Sequence, residues 1–132
     1  MDICKQEILN TTYPKLFKNM YFECGDGWFD LLKDFAEEVH ADLPEESYAS
    51  QVKEKYGALR IYMTSATEYV YRTIDRYEKR SKSICEICGN PGKTLKRHGW
   101  YRTTCAECMK QEQRLDGFVL SDDIIQRDYQ KM

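Results

Sequence analysis

The chain has no long hydrophobic run, only two histidines and almost no excess charge of either sign. No window approaches the roughly 20 apolar residues that a membrane-spanning helix needs, so neither a span nor a membrane partner is expected. Lys5, Gln6, Glu7, Asn10 and Lys15 interrupt the first seventeen residues, which leaves no apolar segment of signal-peptide length and points to a cytoplasmic protein. In 132 residues, 20 basic and 22 acidic groups give a net charge of -2. A surface built throughout for polyanions carries a basic excess, and a DNA mimic carries a dense acidic one; this chain shows neither. Also absent are a glycine-rich phosphate loop and a Gly-x-Ser-x-Gly elbow. The length suits one ordinary domain with a small appendage.

What the chain does have is cysteine. Cys85-Glu86-Ile87-Cys88 and Cys105-Ala106-Glu107-Cys108 are two CxxC hooks separated by sixteen residues. In a chain without a secretion signal this spacing indicates a metal site before a disulfide framework. Each hook turns two thiolates toward one point, and two hooks complete a tetrahedral sulfur cage for one structural Zn2+. A rubredoxin-like iron site would use the same four ligands, and a redox dithiol needs only one hook. Cys4 and Cys24 lack such a hook and are expected to be buried free thiols.

The two hooks have different neighbours. Gly89 after the first permits the left-handed backbone of a tight knuckle whose amides face the sulfurs. The second lies in Thr104-Cys105-Ala106-Glu107, a capping box with Thr104 as N-cap, which predicts a helix running to Gly117. Knuckle, short hairpin, then a helix supplying the last two ligands is a treble-clef order.

Upstream, the pattern predicts an α+β core over residues 1–83, with a small antiparallel hairpin packed against helices. Asp2 to Leu9 can form a short helix that Tyr13-Pro14 ends. Asp26 or Gly27 can cap a helix whose apolar face is Trp28, Leu31, Leu32, Phe35, Ala36 and Val39, with Pro44 after it. From Gln51 to Thr64 the period becomes two. A Gly57-Ala58 turn would pair Tyr56 with Leu59, Glu54 with Ile61 and Val52 with Met63, leaving Val52, Tyr56, Leu59, Ile61 and Met63 on the apolar face. The opposite face carries Gln51, Lys53, Lys55, Arg60 and Tyr62, which suits either the solvent side of a half-buried sheet or a contact surface for an acidic partner or nucleic acid. Ser65-Ala66-Thr67-Glu68 predicts a capped helix from Ala66 to about Arg80, with Val70, Ile74 and Tyr77 inward. The zinc module is expected over 84–117. The tail, 118–132, would hold a strand at Gly117 to Leu120 and a helix from Asp122 to Tyr129 capped by Ser121.

Charge is unevenly distributed. Residues 1–80 hold 11 basic and 15 acidic groups, whereas residues 81–114 hold 7 and 3. Four thiolates on one dication contribute -2, so Lys93, Lys96, Arg97 and Arg102 can balance the metal site. Alternatively they contact phosphates beside Trp100 or Tyr101.

The run Gly25-Asp26-Gly27-Trp28-Phe29, the run from Gln51 to Tyr62 (QVKEKYGALRIY), and Cys85-Glu86-Ile87-Cys88-Gly89 with Pro91-Gly92, Gly99-Trp100 and Thr104-Cys105 together resemble a family of small, mostly uncharacterised bacteriophage and prophage proteins. The resemblance covers about residues 14–108. Many members end in Cys-x-x-His where this chain has Cys105 and Cys108, which exchanges one zinc ligand for another. It implies a viral product in a bacterial cytoplasm and assigns no catalytic residue.

Function is therefore sought in binding. HNH-type nucleases use this scaffold, but they need a hairpin histidine and helix His or Asn ligands; only His98 is present, and Cys105 to Asp116 holds no His or Asn. His40 suits a helix-end cation or surface residue. The leading expectation is a non-enzymatic protein that binds and inhibits or redirects a host protein, such as a defence or transcription factor. The alternative is a nucleic-acid-binding regulator, with Lys53, Lys55, Arg60, Tyr62, Arg97, His98, Trp100 and Arg102 as contact candidates in either case. Ten tyrosines keep a small-nucleotide sponge open.

Overall fold

The computed structural model describes residues 1–97 and 99–115. The expected tail strand and helix, the stop at Gly117 and His98 lie outside the described residues. The fold is α+β. Helix α1 (Ile3–Thr12) precedes the short strand β1 (Phe22–Glu23), helix α2 (Phe29–Val39), strands β2 (Ala49–Lys55) and β3 (Ala58–Met63), and helix α3 (Glu68–Ser81). The segment that carries the two cysteine hooks comes next, with β4 (Lys93–Arg97), β5 (Trp100–Thr104) and α4 (Ala106–Leu115).

β2 and β3 form the expected antiparallel hairpin, and β1 adds a parallel strand beside β2. The turn sits one residue earlier than the sequence suggests. Lys55 pairs with Ala58, Glu54 with Leu59 and Val52 with Ile61. Tyr56 (φ 55°) and Gly57 (φ 79°) both take the left-handed conformation, the requirement of a type I′ turn that matches strand twist. The Glu54 carboxylate holds this turn by accepting from the Gly57 amide at 3.1 Å. The expected pairing is thus two residues out of register. A shift of two preserves the faces, so Val52, Leu59 and Ile61 still point into the core. Tyr56 does not; in the turn it is 64% exposed.

Both edges of this sheet are closed by side chains from helices. At β1 the Phe22 amide donates to Gln6 Oε1 at 2.9 Å. At β3 the Leu59 amide donates to Ser81 Oγ at 2.9 Å and the Ile61 amide to Glu78 Oε2 at 3.0 Å. Edge amides left open would invite pairing with another chain.

One sheet face packs on α2 and α3. Leu31, Leu32, Phe35, Ala36 and Val39 of α2 and Val70, Ile74 and Tyr77 of α3 are buried, as their spacing predicts. Trp28, Phe17, Phe22 and Phe35 are wholly buried; truncating such a side chain to alanine costs about 3–5 kcal/mol. The Phe35 and Tyr77 rings meet edge to face at 5.6 Å, and Glu38 accepts from Tyr77 Oη at 2.6 Å and from Arg76 Nη2 at 2.5 Å. Burial, with the hydrogen bond to Glu37, pushes the Tyr13 hydroxyl up to about 12.

Helix starts depart from several expectations. α1 begins where Asp2 accepts from the amides of Cys4 and Lys5, and it ends at Thr12 before Tyr13-Pro14. Asp26 does not cap α2; its carboxylate accepts from the Asp2 amide at 2.6 Å and meets Lys5 Nζ at 3.6 Å, which ties the amino terminus of α1 to this loop. α3 is capped by Thr67, two residues later than expected, because the Ser65 hydroxyl lies against Ser47 Oγ at 3.5 Å instead. Cys24 is buried as expected, but Cys4 is exposed: it sits on the side of α1 away from the buried Gln6 and Leu9.

Candidate metal centre

Cys85, Cys88, Cys105 and Cys108 converge. Their four Sγ atoms all lie within 4.8 Å of one another, and Cys88 and Cys105 are 3.6 Å apart. A tetrahedral ion with metal–sulfur bonds of about 2.3 Å holds its sulfurs about 3.8 Å apart, so the four thiols fit a single metal ion. Cys85 and Cys108 are buried, Cys105 is partly covered and Cys88 is exposed. Burial, with hydrogen bonding from Cys105 and Cys88, pushes the Cys108 thiol far up.

The local backbone explains the convergence. Gly89 takes φ 82°, which reverses the chain after the first hook. Its amide donates to the Cys85 carbonyl at 2.9 Å, so the knuckle closes through a carbonyl. β4 and β5 pair from Lys93 with Thr104 to Arg97 with Trp100 and return the chain to the second hook. α4 starts at Ala106, one residue later than the capping box predicts. Thr104 remains in β5, buried, and Cys105 Sγ accepts from the Cys108 amide at 3.4 Å. The sulfur ligand itself takes the capping position.

Sequence reasoning missed how tightly this module is joined to the core. The Gly27 amide donates to the Glu86 carbonyl at 2.7 Å, the Gly25 amide to Glu86 Oε2 at 2.9 Å, and Trp28 Nε1 to the Ile84 carbonyl at 2.9 Å. A Cβ on Gly27 would stand 2.0 Å from the Cys85 carbonyl oxygen and 2.6 Å from the Gly89 nitrogen. One on Gly25 would stand 2.4 Å from the Glu86 carbonyl oxygen. The Gly-Asp-Gly-Trp run therefore forms a seat for the metal knuckle, and its paired glycines were the signal that could have found it. A second joint lies at the hairpin turn. The Gly57 carbonyl accepts from the buried Thr103 hydroxyl, and a Cβ on Gly57 would lie 3.0 Å from Thr94 Cγ2.

The contact candidates fall on two separate surfaces. Lys53, Arg60 and Tyr62 lie on the sheet face opposite the core, with Lys55 at its end near the turn. Acidic groups accompany them there: Glu23 of β1 lies beside Lys53 and accepts from Gln51 Nε2 at 3.0 Å, and Arg60 pairs with Glu78 at 3.5 Å. The face is thus mixed in charge, because β1 and α3 bring carboxylates that the hairpin sequence does not contain. Trp100 and Arg102 belong to β5, Trp100 being 77% exposed, and the Arg97 backbone pairs with Trp100. Lys55 Nζ stands 5.5 Å from the Tyr56 ring and Lys96 Nζ 5.4 Å from the Tyr101 ring, and the two rings meet edge to face at 6.0 Å. His40 is exposed at the end of α2, its ring 5.8 Å from that of Tyr13.

Among the described residues, no helix is long and apolar enough to cross a membrane. Comparisons with protein-family models, curated proteins and solved structures return no match for this chain.

Proposed function

We propose that this chain is a small zinc protein that acts without catalysis by binding a host protein in a bacterial cytoplasm. The phage resemblance supplies the setting. Four thiolates satisfy zinc completely and leave no open position for activating water, so the ion would hold the module together. Lys93, Lys96 and Arg102 belong to the hairpin that joins the two cysteine hooks and would offset the net negative charge of such a centre.

The observation that carries the binding reading is the pair of exposed tyrosines on the face of the three-stranded sheet opposite the core. Tyr21, 70% exposed, precedes β1 beside Gln51, and Gln51 pairs with Tyr62, 42% exposed. Glu23, Lys53 and Arg60 form the adjacent row. Tyrosine and arginine with charges of both signs, on a rigid sheet, match the composition of protein interfaces. The carboxylates would oppose a phosphate backbone there.

Affinity capture from nuclease-treated bacterial lysate tests this reading, comparing the wild-type chain with a Tyr21→Ala/Tyr62→Ala variant. The expected result is a host protein that survives nuclease and is lost with the variant. Partners that all disappear with nuclease would replace this reading with nucleic-acid binding.

A further inference from the structure

We infer that the four-cysteine cluster is also an oxidation site, at which a hydroperoxide joins Cys88 to Cys105 in a disulfide and releases the metal. The step rests on the zinc reading above and adds a regulation to it. The four sulfurs share one chemistry but differ in access: Cys88 is exposed and Cys105 partly covered, whereas Cys85 is 0% and Cys108 8% exposed. A small oxidant therefore reaches Cys88 first, and an accessible thiolate beside a second sulfur is the arrangement of redox-sensing cysteines.

Geometry selects the partner. Cys105 Sγ, in the other hook, lies 3.6 Å from Cys88 Sγ. A disulfide is about 2.05 Å long, so the pair closes by an approach of roughly 1.5 Å. Cys85, the other sulfur of the first hook, is fixed by its backbone: its amide donates to the Asn90 carbonyl at 2.7 Å, and its carbonyl accepts from the Gly89 amide at 2.9 Å and lies against Gly27. Bonds that involve no sulfur also hold the two hooks side by side. The Glu86 amide donates to the Thr103 carbonyl at 2.9 Å, the Gly92 amide donates to the Ser83 carbonyl at 3.0 Å, and β4 pairs with β5. A Cys88–Cys105 disulfide would replace the cross-link between hooks that the metal provides, whereas a disulfide within one hook would leave them unlinked.

The oxidation takes two steps. The Cys88 thiolate attacks one peroxide oxygen, the O–O bond breaks, and the other oxygen leaves as hydroxide, giving a sulfenic acid on Cys88. The Cys105 thiolate then attacks the Cys88 sulfur and displaces a second hydroxide. Two electrons pass from the sulfurs to the peroxide, and the hydroxides become water by taking protons from solvent. Cys85 and Cys108 alone cannot complete a tetrahedral site, so the ion leaves and both thiolates take up protons. A dithiol reductant of the cytoplasm reverses the disulfide by thiol exchange.

The test uses the zinc-loaded full chain carrying Cys4→Ser, which removes the exposed cysteine outside the cluster. Native mass spectrometry first counts the metal. Hydrogen peroxide is then added in the presence of a chromophoric chelator, and the product is alkylated under denaturing conditions and mapped without reduction. With one of the six cysteines replaced, the alkylatable ones should fall from five to three as one zinc per chain is released. The single disulfide should be Cys88–Cys105, and far-ultraviolet circular dichroism should keep its folded signal. A dithiol reductant with added zinc should restore the metal content. Cys88→His keeps four zinc ligands but removes the attacking sulfur, so it should hold its zinc through the same dose. Zinc retained by the parent chain under peroxide, equally fast release from Cys88→His, a disulfide within one hook, or unfolding on oxidation would overturn the assignment. Should Cys88→His fail to load zinc, the disulfide map of the parent chain decides alone. A parent chain with no zinc before peroxide is added overturns the zinc reading itself, and so the two failures are distinguished.

Discussion

Replacing Gly27 by alanine tests the joint between core and metal module without touching a metal ligand. Gly27 is not among the glycines with positive φ, so alanine meets no backbone strain of its own there. The cost comes from the new methyl, which would enter a space already held by backbone, 2.0 Å from the Cys85 oxygen and 2.6 Å from the Gly89 nitrogen. Overpacking of this kind costs about 1–3 kcal/mol. Relief requires the knuckle to withdraw, which stretches the Gly27–Glu86, Gly25–Glu86 and Trp28–Ile84 hydrogen bonds, each with a net value of about 1 kcal/mol. The total is about 4–6 kcal/mol, a large share of the roughly 5–15 kcal/mol that stabilises an ordinary domain. Urea unfolding of the zinc-loaded protein, followed by far-ultraviolet circular dichroism, measures it. A parallel assay of metal transfer to a chromophoric chelator should show faster release. Stability within about 0.5 kcal/mol of wild type, with unchanged release, would refute the seat.

Two further outcomes are expected. Cys85→Ser should abolish stoichiometric metal binding and expose the module to protease, whereas Cys4→Ser should leave both unchanged, because Cys4 is exposed and is not one of the four clustered cysteines. The Asp2 amide and Lys5 hold the Asp26 carboxyl below its usual range, so Asp26 stabilises the fold above about pH 4 and loses that contribution as pH falls through its lowered value. Asp26→Asn should therefore be less stable than wild type at pH 7, and the gap should close in acid; a gap that widens below pH 4 would contradict the ion pairing.

The convergence of the four cysteines was legible because its information is local. Spacing brings each hook's sulfurs together, and Gly89 takes the conformation its position predicts. The sheet faces were legible too, since a period of two survives a two-residue error in register. What sequence could not place depends on distant partners. The turn moved to Tyr56-Gly57, where Gly57 lies beneath Thr94 and Tyr101 of the second hairpin. Asp26 serves the amino terminus of α1 rather than its own helix. β1, with two residues, has no periodicity to detect, yet it supplies Glu23 and so changes the charge of the open face. Thr104 had the right chemistry for a cap, but β5 holds it inside.

The central claim is that one zinc ion closes Cys85, Cys88, Cys105 and Cys108 into the module that the core seats. Native mass spectrometry of the protein, combined with alkylation mapping of its six cysteines, tests it most directly. The account predicts one zinc per chain, the four cluster thiols protected until a chelator is added, and Cys4 alkylated from the start. A folded, metal-free chain whose four cluster cysteines alkylate as readily as Cys4 would contradict it.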